Sequence, residues 1–246
     1  MTSPVPDSLR HALAPTGTLR AGINLGNPVI AQKDPAGGAP RGVGPDLARE
    51  LAKRVGVGIA YVTYETAGKL ADGVRQDAWD VAFLAGEPER AAEIAFSPPY
   101  VQIEGTYLVP RDSPLKSVAD VDRAGIRVCV GDKTAYDLYL TRNLKHAELV
   151  RWPTSLEAIA MFREQGLDAA AGVRQPLMAA ARVDPGLRVM DASFMVIRQA
   201  CGVPKGRDEA ARYLSRFIEE MKASGFVKRA LEASGNGDVT VAPAGR

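Results

Sequence analysis

The feature that most constrains this chain is an alternation of short apolar runs with helix-period patterns, run through once before Pro110 and again after it. "LRAGINL" at 19–25 suits a buried strand, and after the loop-forming stretch 26–45 a helical pattern opens with Leu47, Leu51 and Val55 four residues apart. Arg49, Glu50, Lys53 and Arg54 fall mostly off that stripe, so the helix is predicted to lay one face on a sheet. "GIAYVTY" at 58–64 reads as strand, 67–76 as helix and "DVAFL" at 80–84 as a further buried strand. The second cycle predicts a strand at 126–131, a helix through "AYDLYLTRNL", a strand at "AELVRW", a helix through "SLEAIAMFREQG" and a short strand at "LDAAAG". From 207 the pattern is helical, with Ala210, Tyr213, Leu214, Phe217, Ile218 and Met221 on one stripe and Gly225 as a stop; a shorter helix follows over 226–233. The remaining "SGNGDVTVAPAGR" reads as a loose tail. Strand followed repeatedly by helix implies α/β layers around parallel strands, and with 246 residues the chain is long enough for one large or two small domains.

Composition narrows the function. Hydrophobic residues make up 46%, enough for a substantial core, and the net charge is only +2 with both signs interspersed. No run of Lys or Arg tracks a nucleic-acid backbone, so nucleic acid is not an expected partner. Cys129 and Cys201 sit among apolar or small neighbours and read as buried thiols; His11 and His146 belong to no ligand-like cluster, so neither a metal nor a catalytic histidine is expected. "GGAPRGVGPD" lacks the Lys-Ser/Thr of a phosphate loop and the spacing of a dinucleotide fingerprint, and no cofactor is expected. The amino terminus has no positive segment followed by an apolar one, and no apolar stretch reaches the roughly 20 residues that span a bilayer. Localisation therefore stays open: periplasmic if an export signal was removed or lies upstream, otherwise cytoplasmic.

Two residues could carry recognition. In "AGEPERAAEIAFSPPY", Pro88 suits the first turn of a short helix, Glu87 lies just before it, and Ala91, Ala92 and Ile94 supply an apolar side. Arg90 in that setting is either a structural or surface ion pair or a planar fork offered to a carboxylate. Thr134 follows the strand "VCVG" and precedes a helix, where it is either a plain N-cap or, with the adjacent backbone N–H groups, part of an anion receptor.

The ordered set "LRAGINLGNP", "RGVGPDLARELAKRVGV", "DVAFLAGEPERAAEIAFSPPY", "VCVGDKTAY" and "CGVPKG" resembles the type 2 periplasmic solute-binding fold, in its polar amino-acid-binding branch, over about residues 17–233. The resemblance implies an α/β, two-lobed fold with two crossover strands and an interlobe cleft: a discontinuous first lobe at 17–107 and 200–246, and a second at 110–196. It implies that Arg90 receives a ligand carboxylate, that Thr134 and the Ala135 N–H help receive it, and that Asn24, Leu84, Ala85 and Gly86 lie on pocket-facing loops. The implied protein is a monomeric, non-enzymatic receptor that binds a small carboxylate-bearing solute between closing lobes and serves an ABC-transporter membrane permease.

This chain departs from the amino-acid-binding pattern where an acidic residue would receive the ligand ammonium, since Val173 stands near that position. Glu87 or Asp132 would then have to supply the negative charge. Near Asn27 and Ala67 the aromatic residues that sandwich a ligand side chain in some relatives are absent. Arg174 either faces solvent at the start of "RQPLMAAAR" or projects toward the ligand and prefers a second acidic group, and Gln175 could act beside it. Two alternatives use the same fold: a cytoplasmic ligand sensor, and an enzyme resembling cyclohexadienyl dehydratases, for which "AAAGVRQP" offers no carboxylate as acid or base.

Overall fold

A computed structural model describes residues 5–245; residues 1–4 and 246, the ends of the amino-terminal segment and the expected tail, lie outside the described residues. In chain order the elements are α1 (Asp7–Leu13), β1 (Thr18–Asn24), α2 (Val43–Val55), β2 (Gly58–Tyr64), α3 (Ala67–Asp72), β3 (Val81–Ala85), β4 (Ile94–Phe96) and β5 (Val101–Pro110). There follow β6 (Arg127–Gly131), α4 (Ala135–Asn143), β7 (Glu148–Trp152), α5 (Ser155–Glu164), β8 (Ala169–Val173), α6 (Arg174–Val183) and β9 (Leu187–Val189). The chain ends with β10 (Met195–Pro204), α7 (Asp208–Ala223), α8 (Phe226–Ala233) and β11 (Thr240–Val241). It divides into two compact units, residues 1–102 with 198–246, and residues 103–197, so the divisions fall inside β5 and β10.

In the first unit β1 lies between β2 and β3, parallel to both, and β10 runs antiparallel to β3 and β4. The stripe seen in the sequence makes the layer above: Leu47, Leu51 and Val55 of α2 are fully buried, each worth about 1.5–3 kcal/mol. Gly56, at φ 70° in the left-handed region, ends that helix with its N–H on the Ala52 and Lys53 carbonyls. Under β3, Trp79 is fully buried and donates its indole N–H to Leu70 O at 2.9 Å. Asp80, also fully buried, accepts from Arg20 N (2.9 Å), Nε (3.1 Å) and Nη2 (2.8 Å) and from Arg207 Nη1 (3.3 Å), tying β1, β3 and the start of α7. This pairing raises the Arg20 guanidinium above its ordinary value, chiefly through the hydrogen bonds to Asp80.

In the second unit β6 lies between β7 and β8, all parallel, and β5 runs antiparallel to β8 and β9. Phe162 and Leu177 from α5 and α6 pack on Leu108, Cys129 and Ala170 of the sheet. Among the described residues no helix is long and apolar enough to cross a membrane. Cys129 and Cys201 are buried free thiols, both pushed up to about 12, primarily by burial.

Two expectations need correction, and one element lies where the sequence reading placed none. The helix expected over 67–76 is α-helical only to Asp72, and residues 73–76 tighten into a 3-10 turn ending at Asp77, whose φ of 48° stops it. The amino-terminal segment forms α1, which buries Leu9 and Leu13. The tail is not loose: β11 pairs with Val101 and Gln102, and Val239 and Ala242 are buried.

Candidate functional site

In the first unit the predicted site residues gather at the carboxyl ends of the parallel strands β1 and β3, the end of an α/β sheet where loops are free to hold ligands. β3 finishes at Ala85, and the chain turns through Gly86–Pro88 into a 3-10 turn at Arg90–Ala92. Both Arg90 N and Ala91 N donate to Glu87 O at 3.0 Å, so the turn is anchored at Glu87 as the sequence position suggests, although the helical residues begin only at Arg90. Arg90 is 7% exposed, and its Nη1 donates back to Ala85 O at 2.9 Å. Burial depresses the guanidinium to about 10, against the nearby Glu87 and Glu89 carboxylates, so it is still a cation at neutral pH. Glu87 is itself buried on the same turn.

The neighbours differ in what they can offer. Gly86 is exposed and spends its N–H on Arg198 O at 3.1 Å. Leu84 packs its side chain with Leu70, Trp79, Ala82 and Ile94, so only its backbone could serve a ligand. Asn24, at the end of β1, is buried and accepts the Gly26 N–H on Oδ1 at 2.9 Å. A Cβ on Gly26 would meet Glu65 O at 2.4 Å, so this close turn requires glycine.

In the second unit the candidates again sit at strand carboxyl ends, after β6 and after β8. Thr134 is the N-cap of α4: Oγ1 accepts from Asp137 N at 3.2 Å and donates its proton to Gly131 O at 2.8 Å. Its hydroxyl proton is thus engaged within the turn, and Ala135 is the buried first helical residue. A Cβ on Gly131 would lie 2.8 Å from Ser155 N, so glycine lets the strand end abut the start of α5. Asp132 is half-buried, with its N–H on Trp152 O at 2.8 Å.

Asp137, which the sequence reading did not single out, organises this turn. It is 2% exposed, accepts Lys133 N at 2.8 Å and Arg151 Nε at 3.0 Å, and faces Lys133 at a left-handed φ of 52°. Burial raises its carboxyl above the ordinary range, opposed by the Lys133 N–H and by Arg151. The Thr-x-x-Asp spacing of 134–137 was the available signal, a helix-start pattern.

Arg174 opens α6, but its guanidinium is turned onto its own unit: Nε pairs with Glu104, Nη1 donates to Met190 O at 3.0 Å and Nη2 to Asp191 O at 2.7 Å. Gln175 is half-buried beside it, and Val173, at the position where an acid would be needed, is a buried end of β8.

Comparison with known proteins identifies the relatives. The chain is 24% identical over 183 residues to a glutamine-binding protein of Geobacillus stearothermophilus, covering 72% of this chain and 69% of that one. Among solved structures it resembles a cysteine-binding protein from Campylobacter jejuni, with a TM-score of 0.80, 20% identity and coverage of 95% and 99% of the two chains. It also resembles an ancestral amino-acid-binding protein described as a precursor of cyclohexadienyl dehydratase, with a TM-score of 0.75, 24% identity and coverage of 91% and 97%. The fold is the mixed α/β fold of type 2 periplasmic binding proteins. The model of one family matches residues 19–234, all of the second unit and most of the first, and the chain belongs to the bacterial extracellular solute-binding proteins, family 3.

Proposed function

We propose that this chain is the substrate-binding component of an ABC-type importer and that it binds a small carboxylate-bearing solute, such as an amino acid or organic acid, without chemically altering it. The observation that carries the reading is Arg90: a buried guanidinium, depressed to about 10 yet charged at neutral pH, anchored through Nη1 at the end of β3. A ligand carboxylate would add charge-assisted hydrogen bonds to the contacts this buried guanidinium already makes, and a planar fork at a strand's carboxyl end suits that geometry. The N-terminal turn of α4, with Thr134 and Ala135, is the proposed second donor group, through backbone N–H rather than the engaged hydroxyl.

The solute-binding family and the amino-acid-binding names of the relatives favour a receptor. The membrane permease of an ABC transporter is the proposed partner. A dehydratase reading would require an acid or base near position 173, and the valine there argues against it. The test is mass spectrometry of small molecules released on denaturing gently purified protein, followed by calorimetry of the identified compound against the parent and Arg90→Met. A carboxylate that binds the parent and is lost by the variant supports the reading; a retained ligand without a carboxyl group overturns it.

A further inference from the structure

The carboxyl-terminal segment 236–245 does more than fill surface. Within the first unit β11 adds as an antiparallel strand to Val101 and Gln102, and Ala242 N donates to Tyr100 O at 3.0 Å. A second attachment comes from Lys222, whose side chain is 5% exposed. Its ammonium donates to Pro99 O at 3.2 Å and to Pro243 O at 2.8 Å, one carbonyl on each side of the junction, and pairs with Glu219 at 2.7 Å. Glu219 Oε1 in turn accepts Gly245 N at 3.1 Å. A buried ammonium that bridges two peptide segments is a costly arrangement unless both carbonyls stay in place.

The residue so clamped is joined to the Arg90 turn by consecutive backbone contacts. Tyr100 takes the tail's N–H on its carbonyl and gives its own N–H to Gln199 O at 2.8 Å. Gln199 pairs across the sheet with Ala85, whose carbonyl holds Arg90 Nη1, and the preceding Arg198 O holds Gly86 N. Tail, Tyr100, Gln199, Ala85 and Arg90 thus form one ladder inside a single unit.

We propose that the 236–245 segment, clamped by Lys222, is a positioning element for the Arg90 turn: it holds Tyr100 and β10 in register, and through them the Ala85 carbonyl and the Gly86 amide. Lys222 is a positioning residue that touches no ligand. The importance of Arg90 rests on the receptor reading, but the ladder is tested without any ligand, so the two can fail separately.

The test is residue-resolved amide exchange on the full chain, on Lys222→Met and on a chain ending at Gly235. The reporters are the Tyr100 and Gly86 amides; the controls are Asp80 N–H, bonded to Arg20 O in the same unit, and Asp168 N–H, bonded to Arg127 O in the other. Both changes are expected to accelerate Tyr100 and Gly86 by about tenfold or more while Asp80 and Asp168 keep their rates, the pattern of a local opening. Should the shortened chain not fold, Lys222→Met, which keeps the aliphatic stem, decides the matter alone. Unchanged rates at Gly86 would overturn the proposal, as would acceleration of Asp80 to the same degree, which would make the tail ordinary core packing.

Discussion

Replacing Arg90 by methionine separates a receptor from a structural ion pair, because the two roles give effects of different size in the ligand-free protein. Methionine keeps the length and apolar stem while removing the charge. The fall of the guanidinium to about 10 bounds the cost of keeping it charged in the folded unit at about 3 kcal/mol, since each tenfold change in proton affinity is about 1.4 kcal/mol. Against that relief stand the lost contact to Ala85 O, about 1–2 kcal/mol with its carbonyl left to find another donor, and the lost attraction of the Glu87 and Glu89 carboxylates. The balance predicts that Arg90→Met stays within about 2 kcal/mol of the parent at neutral pH. Alkaline pH gives an independent check of sign. The folded-state value lies below the unfolded one, so between them the unfolded chain binds more protons and this group's contribution to stability rises with pH. The parent should therefore gain on the variant above about pH 10, by up to about 1.4 kcal/mol per pH unit. Urea unfolding followed by circular dichroism, on both proteins refolded free of ligand, at pH 7 and from pH 9.5 to 11, measures both effects. Destabilisation by about 3–5 kcal/mol at neutral pH, as for one partner removed from a buried ion pair, would refute the reasoning and make Arg90 structural.

Three further outcomes are expected. Among the described residues the fully buried Tyr100 Oη has no hydrogen-bond partner, so Tyr100→Phe is expected to raise stability by about 1 kcal/mol in the same unfolding assay. Asp80→Ala leaves Arg20 and Arg207 with only the exposed Asp77 carboxylate as ion-pair partner and should cost about 3 kcal/mol, read as a lower urea midpoint at unchanged slope. Cys129 and Cys201, buried and held up to about 12, should react with a thiol reagent at neutral pH only on unfolding; fast labelling of either in the native protein would contradict their placement.

Elements built on periodic apolar residues were legible because side-chain spacing reports directly on burial. The α2 stripe of Leu47, Leu51 and Val55, the strand "GIAYVTY" and the helix from Asp208 to its stop at Gly225 all stand where the pattern puts them. What the sequence hid depends on backbone partners distant in the chain. β11 is two residues long and exists through its pairing with Val101 and Gln102, so the β-branched Val239-Thr240-Val241 is too short a run to be read as a strand without that partner. The short α1 follows Pro6 without a side-chain cap and is held by burial of Leu9 and Leu13. At the candidate site the turn around Arg90 could be read from Glu87 and Pro88, but the burial of its guanidinium could not. The partners of Arg174 were hidden in the same way, since Glu104 and the Met190 and Asp191 carbonyls that take up its donors lie far off in sequence.

The central claim is that a buried Arg90 receives a carboxylate. Its most direct test is calorimetric titration of the ligand-free protein with the solute identified by mass spectrometry and with that solute's carboxamide, which keeps the shape and removes the negative charge. Binding is expected to weaken by about 2–5 kcal/mol, a loss of thirtyfold or more, for the carboxamide. Equal affinity for the acid and the amide would contradict the account.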